Sequence, residues 1–269
     1  MSAMKHVVCF SGGKDSTALV LWAKENLAEF TTVFCDTGWE HPITYAYVEE
    51  INQTVLGGKL VTLKSEKYPN GMRQLVQIKG MILQNSGRFC TVELKVIPTQ
   101  QFLSSIDDDD FCLYDGKRCD ESDERSNLQA QEWADIYDCY VYHPLRHFSA
   151  QDCFDLCERH GVKPNPLYMR GASRVGCFPC INLNLGDLKR MSPLVPDLRP
   201  RIKELERFAG RSFFGPSFIP ERFQTGFDAQ SGKKFPTSDD VFRYIDSVDE
   251  NQIPMFPARS CMSVYNLCE

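Results

Sequence analysis

The sequence predicts an α/β fold: a parallel sheet with helices on both faces, Rossmann-like, followed by an irregular C-terminal part. Three observations carry this. Short apolar runs alternate with longer helical patterns along the first part of the chain. A glycine-rich turn joins the first run to the first helix. Further turns at run ends carry the charged residues that suit an anion. Strands separated by helices pack as a parallel sheet, and ligands bind at the carboxyl ends of its strands.

Val7 to Phe10 reads as the first strand and Ser16 to Phe30 as the helix behind it. Thr32-Val33-Phe34-Cys35 is a second strand ending at Asp36-Thr37-Gly38. Pro42 opens a helix to Leu56, at a position where its missing N–H costs nothing. Lys59 to Leu63 is a third strand, followed by a loop through Tyr68-Pro69-Asn70-Gly71. Met72 to Ile82 and Val92 to Ser105 are helices, and Asp107 to Asp110 a solvated acidic turn. Phe111 to Tyr114 and Cys139 to Tyr142 are the fourth and fifth strands. Ala150 to His160 is a helix closed by Gly161. After Pro164, proline, glycine and aromatic residues become frequent. No strand pattern recurs there, and one clear helix stands out, Arg199 to Phe208. The division expected is an α/β domain over 1–165 and a cysteine-containing segment, 166–269, covering the site.

With 269 residues, 42% of them apolar, the chain can bury a large core. A net charge of −6 offers no global basic field to a nucleic acid. No run approaches the eighteen or so apolar residues of a membrane span, and Met1 to His6 leads into a strand rather than a cleavable signal, so the expected location is cytoplasmic. The twelve cysteines are then read as thiols, not disulfides. Cys9, Cys35, Cys112, Cys139, Cys153 and Cys157 fall inside apolar runs and read as small buried hydrophobes.

Three constellations remain. In Ser11-Gly12-Gly13-Lys14-Asp15-Ser16, two glycines let backbone N–H groups converge on an anion at a helix N-terminus. Lys14 can neutralise a phosphate, and Asp15 and Ser16 are expected on an exposed loop. Gly116-Lys117-Arg118-Cys119-Asp120-Glu121-Ser122-Asp123-Glu124-Arg125 follows the fourth strand. Its two arginines can grip phosphate or sulfate oxygens through planar forks, and Glu121 can orient Arg118 or hold a metal ion. The third set is Cys90 with Cys177 and Cys180, a C-x-x-C turn beside Arg88, Lys95, Arg170 and Arg174. Cys261 or Cys268 could complete four thiolates. Spacing leaves an iron–sulfur cluster, a structural zinc and a redox dithiol open. A weaker signal lies in 187–234, where ten Lys/Arg face six acids with phenylalanines between them. That suits single-stranded nucleic acid or, more simply, a small satellite core with a charged rim.

Together these motifs resemble the phosphoadenosine phosphosulfate reductase superfamily over roughly residues 5 to 185. The match lies in S-G-G-K-D-S at Ser11 to Ser16, R-F-C-T-x-x-L-K-x-x-P at Arg88 to Pro98, G-K-R-x-x-E-S-x-x-R at Gly116 to Arg125 and C-F-P-C at Cys177 to Cys180. Tyr142-His143-Pro144-Leu145 and Pro164-Asn165-Pro166-Leu167-Tyr168 are also similar. The resemblance implies an adenine nucleotide alpha-hydrolase-like fold in which the last of these segments closes over the nucleotide. It tilts the third constellation to a [4Fe–4S] cluster, with zinc as runner-up. Sulfonucleotide reductases of this superfamily use a cysteine in a C-terminal E-C-G-x-H segment, which is not found here, and usually depart from the full S-G-G-x-D-S. The branch that keeps it cleaves ATP, as in the sulfur-modification enzyme of DNA phosphorothioation.

The implied function is an ATP pyrophosphatase, cutting ATP between the α and β phosphates with Mg²⁺ to adenylate a substrate for sulfur transfer. Ser11, Gly12, Gly13, Asp15 and Ser16 would hold the β/γ phosphates, with Lys14 as a clamp. Asp36 would contact the ribose or metal. Arg118 and Arg125, with Gly116, Glu121 and Ser122, would face the α-phosphate. Implied partners are a nucleic acid or protein sulfur acceptor and a sulfur donor or reductant protein, in a possible homodimer with no membrane association. The alternatives are a sulfonucleotide reductase releasing sulfite, for which Cys268 could be a tail nucleophile, and a nucleotide-binding subunit without turnover.

Overall fold

The computed structural model describes residues 4–82, 88–106, 111–121, 123–229 and 231–249. Its main sheet has six strands: β1 (Lys5–Phe10), β2 (Thr31–Cys35), β3 (Val61–Leu63), β4 (Phe111–Tyr114), β5 (Gln131–Ala134) and β6 (Cys139–Tyr142). Their order is β3-β2-β1-β4-β6-β5. β1 pairs in parallel with both β2 and β4, Val7 lying between Thr31 and Leu113. The chain reverses its direction of travel across the sheet between β1 and β4. That is the switch point, and ligands of such sheets bind there, at the carboxyl ends of the strands.

The sheet departs from the expected one at its edge. β5 runs antiparallel to β6, with Gln131 opposite Tyr142 and Ala134 opposite Cys139. Asp138 takes a positive φ of 53° in the connecting turn. A short strand with one solvated face carries no continuous apolar run, so it does not announce itself.

Helices cover both faces. On one, α1 (Lys14–Asn26), α2 (Pro42–Thr54) and α6 (Ala150–Arg159) bury Leu19, Ala23, Val48, Ile51, Cys153 and Leu156 against Val8, Phe10 and Tyr114. On the other, a helical path of α4 (Phe89–Thr91), a π turn (Val92–Val96) and α5 (Ile97–Ser104) packs Val96 and Leu103 on Val7, Val33 and Leu113. The six cysteines expected in cores are buried or half-buried. Burial pushes all six thiols up, those of Cys139 and Cys157 to about 11.

The C-terminal part is more regular than expected. Besides α8 (Leu198–Ala209) it holds α7 (Leu185–Met191), α9 (Ser238–Ser247) and a hairpin of β7 (Gly226–Asp228) and β8 (Lys233–Phe235). α9 starts with a reciprocal capping box between Thr237 and Asp240. Leu188, Ile202, Leu205, Val241 and Ile245 share a core with Trp39, Leu94 and with Leu75 and Val76 of α3 (Gly71–Lys79). Phe213 and Phe214 belong to that core and Phe208 and Phe218 pack against it, while Phe223 and Phe227 are exposed. Asp107 to Asp110, Ser122, Cys261 and Cys268 lie outside the described residues. Among the described residues, no helix is long and apolar enough to cross a membrane.

Candidate functional site

Ser11–Gly13 leaves the carboxyl end of β1 and turns into α1. Gly12 has φ +79°, and a Cβ there would lie 3.1 Å from methyls of Thr44 and Val48, so glycine is required by conformation and by space. Gly13 caps α1 without a side-chain bond. The Ser11 and Ser16 hydroxyls lie 3.0 Å apart, and Ser16 donates to the Gly13 carbonyl. The Lys14 N–H donates to the Tyr168 hydroxyl at 2.8 Å, and Asn165 Nδ2 donates to the Gly12 carbonyl. The Asn165–Tyr168 segment therefore closes over the loop.

Asp15 is not exposed: its accessibility is 0%, and that of Ser16 is 4%. Both point inward from the first turn of α1. Asp15 accepts from Lys14 Nζ at 2.7 Å and from Arg118 Nε at 2.5 Å. Arg118 reaches it from the loop after β4, bridging the two sides of the switch point. The same guanidinium meets Asp120 and the Phe148 carbonyl. Burial works against the Arg118 cation, but Asp15 and Asp120 more than offset this and raise its pKa. At the neighbouring Gly116 a Cβ would lie 3.1 Å from the Asp15 backbone carbon and oxygen, so any side chain there would push on the Asp15 backbone. Glu121 accepts from the Arg118 N–H and from the Arg125 guanidinium. Lys14, Asp15 and Arg118 are thus gathered directly, and Arg125 through Glu121. Asp36, at the end of β2, accepts from the Tyr45 hydroxyl at 2.6 Å and the Gly38 N–H and pairs with Lys64. Burial pushes its carboxyl up, but these contacts hold it below its ordinary value.

The three cysteines meet at a second place. Cys90, Cys177 and Cys180 line one cavity of about 50 Å³ together with Arg88, Lys95 and Arg174. The π turn explains how Cys90 and Lys95 share it. In an α-helix, residues five apart lie about 140° apart around the axis. The i→i+5 bonding of a π turn widens the coil and brings them back to one side. The C-x-x-C turn is anchored to the loop after β2: the Glu40 and Cys177 backbones pair in an antiparallel β-bridge, Phe178 N–H donates to the Trp39 carbonyl, and Trp39 Nε1 donates to the Pro179 carbonyl. A hydrogen bond to Cys180 and burial push the Cys177 thiol up. Three thiols ringed by cations match the donors and charge that a cluster or zinc requires. Yet among the described residues no group of three or more His, Cys, Asp or Glu is drawn close enough to hold a metal ion.

Two groups escaped the sequence reading. Glu40, buried beneath the Asp36 loop, accepts from Thr37 at 2.6 Å and approaches the Tyr45 hydroxyl at 2.9 Å. Burial raises its pKa. Under the Gly116 loop, Asp115, Lys117, Glu132 and His143 form a polar cluster. Its sequence signals were the Tyr-His-Pro-Leu segment, for His143, and the Gly-Lys-Arg motif, for Lys117; Asp115 and Glu132 had none.

A family model for the phosphoadenosine phosphosulfate reductase domain matches residues 5–183. The chain belongs to that family. The matched stretch holds all three constellations but ends before α7, so the phosphoadenosine phosphosulfate reductase domain includes the cysteine turn and not the α7–α9 core. A 37.8 kDa protein of Escherichia phage 186 is 31% identical, with 79% of each chain covered. Adenosine 5'-phosphosulfate reductase of Salinibacter ruber is 24% identical over 63% of this chain and 65% of its own length. The chain spans under half the length of two Methanocaldococcus jannaschii relatives, each 26% identical. The fold is that of phosphoadenylyl-sulfate reductase from Candida auris in its phosphate complex, with a TM-score of 0.52, 16% identity and coverage of 65% of this chain and 82% of that one.

Proposed function

We propose that this chain is an ATP pyrophosphatase that adenylates a substrate for iron–sulfur-dependent sulfur transfer. The observation that supports this best is the unbroken Ser-Gly-Gly-Lys-Asp-Ser loop at the end of β1, clamped by Arg118 from across the switch point through Asp15. Ser11, Gly12, Gly13, Lys14 and Ser16 hold the β and γ phosphates. Asp15 holds Lys14 and Arg118 in place, so these cations meet the nucleotide without reorganising. Arg118 and Arg125 face the α-phosphate, with Gly116, Glu121 and Ser122 forming the loop around it. An oxygen nucleophile of the substrate forms a bond to the α-phosphorus, and the bond to the β-phosphate oxygen breaks to release pyrophosphate. Asp36 contacts the ribose or Mg²⁺, which when bound neutralises charge on the departing phosphates. Cys90, Cys177 and Cys180, with Cys261 or Cys268, would hold a [4Fe–4S] cluster, or zinc as runner-up. When bound, the cluster supplies an iron site for sulfur or a path for electrons. The sulfur acceptor is a nucleic acid or protein, served by a sulfur donor or reductant protein.

A second reading, a sulfonucleotide reductase releasing sulfite, is favoured by the adenosine 5'-phosphosulfate reductase relative. One experiment separates them. The anaerobically purified protein is assayed for pyrophosphate release from ATP, with and without candidate acceptors. In parallel it is assayed for thioredoxin-dependent sulfite release from either sulfonucleotide. Pyrophosphate without sulfite supports the first reading, and sulfite without pyrophosphate the second. Neither product would leave a nucleotide-binding subunit. Iron and sulfide analysis of wild type and of Cys90→Ser, Cys177→Ser and Cys180→Ser tests the cluster, which each substitution should remove. A colourless protein with about one zinc would overturn it.

A further inference from the structure

Beneath the Gly116 loop lies a buried ring of charge that the nucleotide reading does not use. Asp115 directly follows β4, His143 directly follows β6, and Glu132 projects from the edge strand β5. Asp115 and Lys117 are each 4% exposed and His143 is fully buried. His143 Nδ1 lies 2.5 Å from Asp115 Oδ1, and its Nε2 lies 3.2 Å from Glu132 Oε1. Lys117 Nζ closes the ring, 3.2 Å from Glu132 Oε1 and 3.4 Å from Asp115 Oδ2. Acid and base alternate around it.

Counting hydrogens fixes the state of the ring. An ionised carboxylate can only accept. Burial pushes the Asp115 carboxyl up, but Lys117 and His143 outweigh this and hold it below its ordinary value, so it is a carboxylate. Glu132 Oε1 accepts from the Lys117 ammonium at 3.2 Å, so it too stands in the ring as an acceptor. Both imidazole nitrogens therefore face acceptors and both must carry hydrogen. A neutral imidazole has hydrogen on one nitrogen only. Two anions and two cations then cancel, which is the condition for burying them together.

The ring is coupled to the loop above. Lys117 N–H donates to Asp115 Oδ1, fixing the turn between them. Gly116, inside that turn, abuts the Asp15 backbone. Arg118, one residue on, holds the Asp15 carboxylate. We propose that His143 is a positioning residue, held as an imidazolium in a ring with Asp115, Glu132 and Lys117 that fixes the Asp115–Arg118 loop and so sets Arg118 on Asp15. It touches no substrate and acts through Arg118. The affinity arm of the test below rests on the reading of the Ser11–Ser16 loop as the nucleotide site; the other arms do not.

The first arm is nitrogen NMR of histidine-labelled wild type at neutral pH. Both ring nitrogens of His143 should appear protonated. A ring with one bare nitrogen overturns the proposal. The second arm measures affinity for α,β-methylene ATP in folded variants. His143→Gln should weaken it about tenfold, the scale of one displaced charge-assisted contact. The loss should not add to that of Arg118→Lys, because both act through one guanidinium. Wild-type affinity in folded His143→Gln, or fully additive losses, would overturn the proposal. If His143→Gln does not fold, Glu132→Gln on the half-exposed edge carries the same comparison. If wild type binds no nucleotide, the functional reading fails separately. Amide exchange across Asp115–Arg118 then decides: faster exchange in the variant supports the ring, and unchanged exchange refutes it.

Discussion

Replacing Asp15 by alanine removes a fully buried carboxylate lying between two cations that are themselves nearly buried. Its partners are Lys14 Nζ at 2.7 Å and Arg118 Nε at 2.5 Å. Breaking a buried pair by deleting one partner costs about 3–5 kcal/mol, because the remaining charge stays desolvated. Arg118 keeps Asp120 and the Phe148 carbonyl, which places the loss at the lower end, about 3 kcal/mol. For a chain of this size that lowers the melting temperature by roughly 6–12 °C. Asp15→Asn keeps the shape and one acceptor oxygen and should lose less, while pyrophosphate release disappears in both variants. Urea unfolding followed by circular dichroism supplies the free energies, and calorimetry the melting temperatures. A loss in Asp15→Ala of under about 1 kcal/mol, the scale of an exposed pair, would refute the buried-hub reasoning.

Gly116→Ala should be destabilising by about 1–3 kcal/mol, since its new methyl meets backbone rather than a movable side chain; unfolding at the wild-type urea midpoint would show that the two loops are not in contact. Asp240 gives a pH dependence. Burial pushes its carboxyl up, but hydrogen bonds from the Thr225 and Thr237 backbone N–H groups and their hydroxyls hold it well below the ordinary 3.8. Its contribution to stability is present in full above that ordinary value and is lost as pH falls through the lower, folded-state value. Asp240→Asn should therefore be less stable than wild type at neutral pH and should flatten the acid limb of the stability curve. Parallel curves would remove Asp240 from that role.

Much of this fold is written locally. β1, β2, β4 and β6 are covered on at least one face along most of their length, and their apolar runs are unbroken. β5 is not, because half its side chains face water. α7 and α9 were not expected: their caps, Asn184 with Asp187 and Thr237 with Asp240, are local signals, but proline and glycine around them masked the apolar spacing. The site divides the same way. The Ser11–Ser16 turn is a local pattern, so its place at a strand end followed from neighbouring residues. The burial of Asp15 did not, because its partner Arg118 lies 103 positions away. A charged residue beside two glycines looks solvated until the chain that covers it is known. The Asp115–His143 pair, 28 positions apart, was hidden for the same reason.

The π turn at Val92–Val96 behaves as a helix carrying one residue too many. Deleting a residue from an ordinary helix rotates everything beyond it by about 100° and spoils the packing. Here a deletion at Val92, Glu93 or Leu94 would restore regular α pitch and leave the register beyond it unchanged. The lysine would then follow Cys90 by four positions, about 40° round the axis, and would stay on the wall it shares with Cys90, Cys177 and Cys180. This stretch should therefore accept a one-residue deletion that a regular helix would not, with its packing on the sheet and its cavity wall both kept.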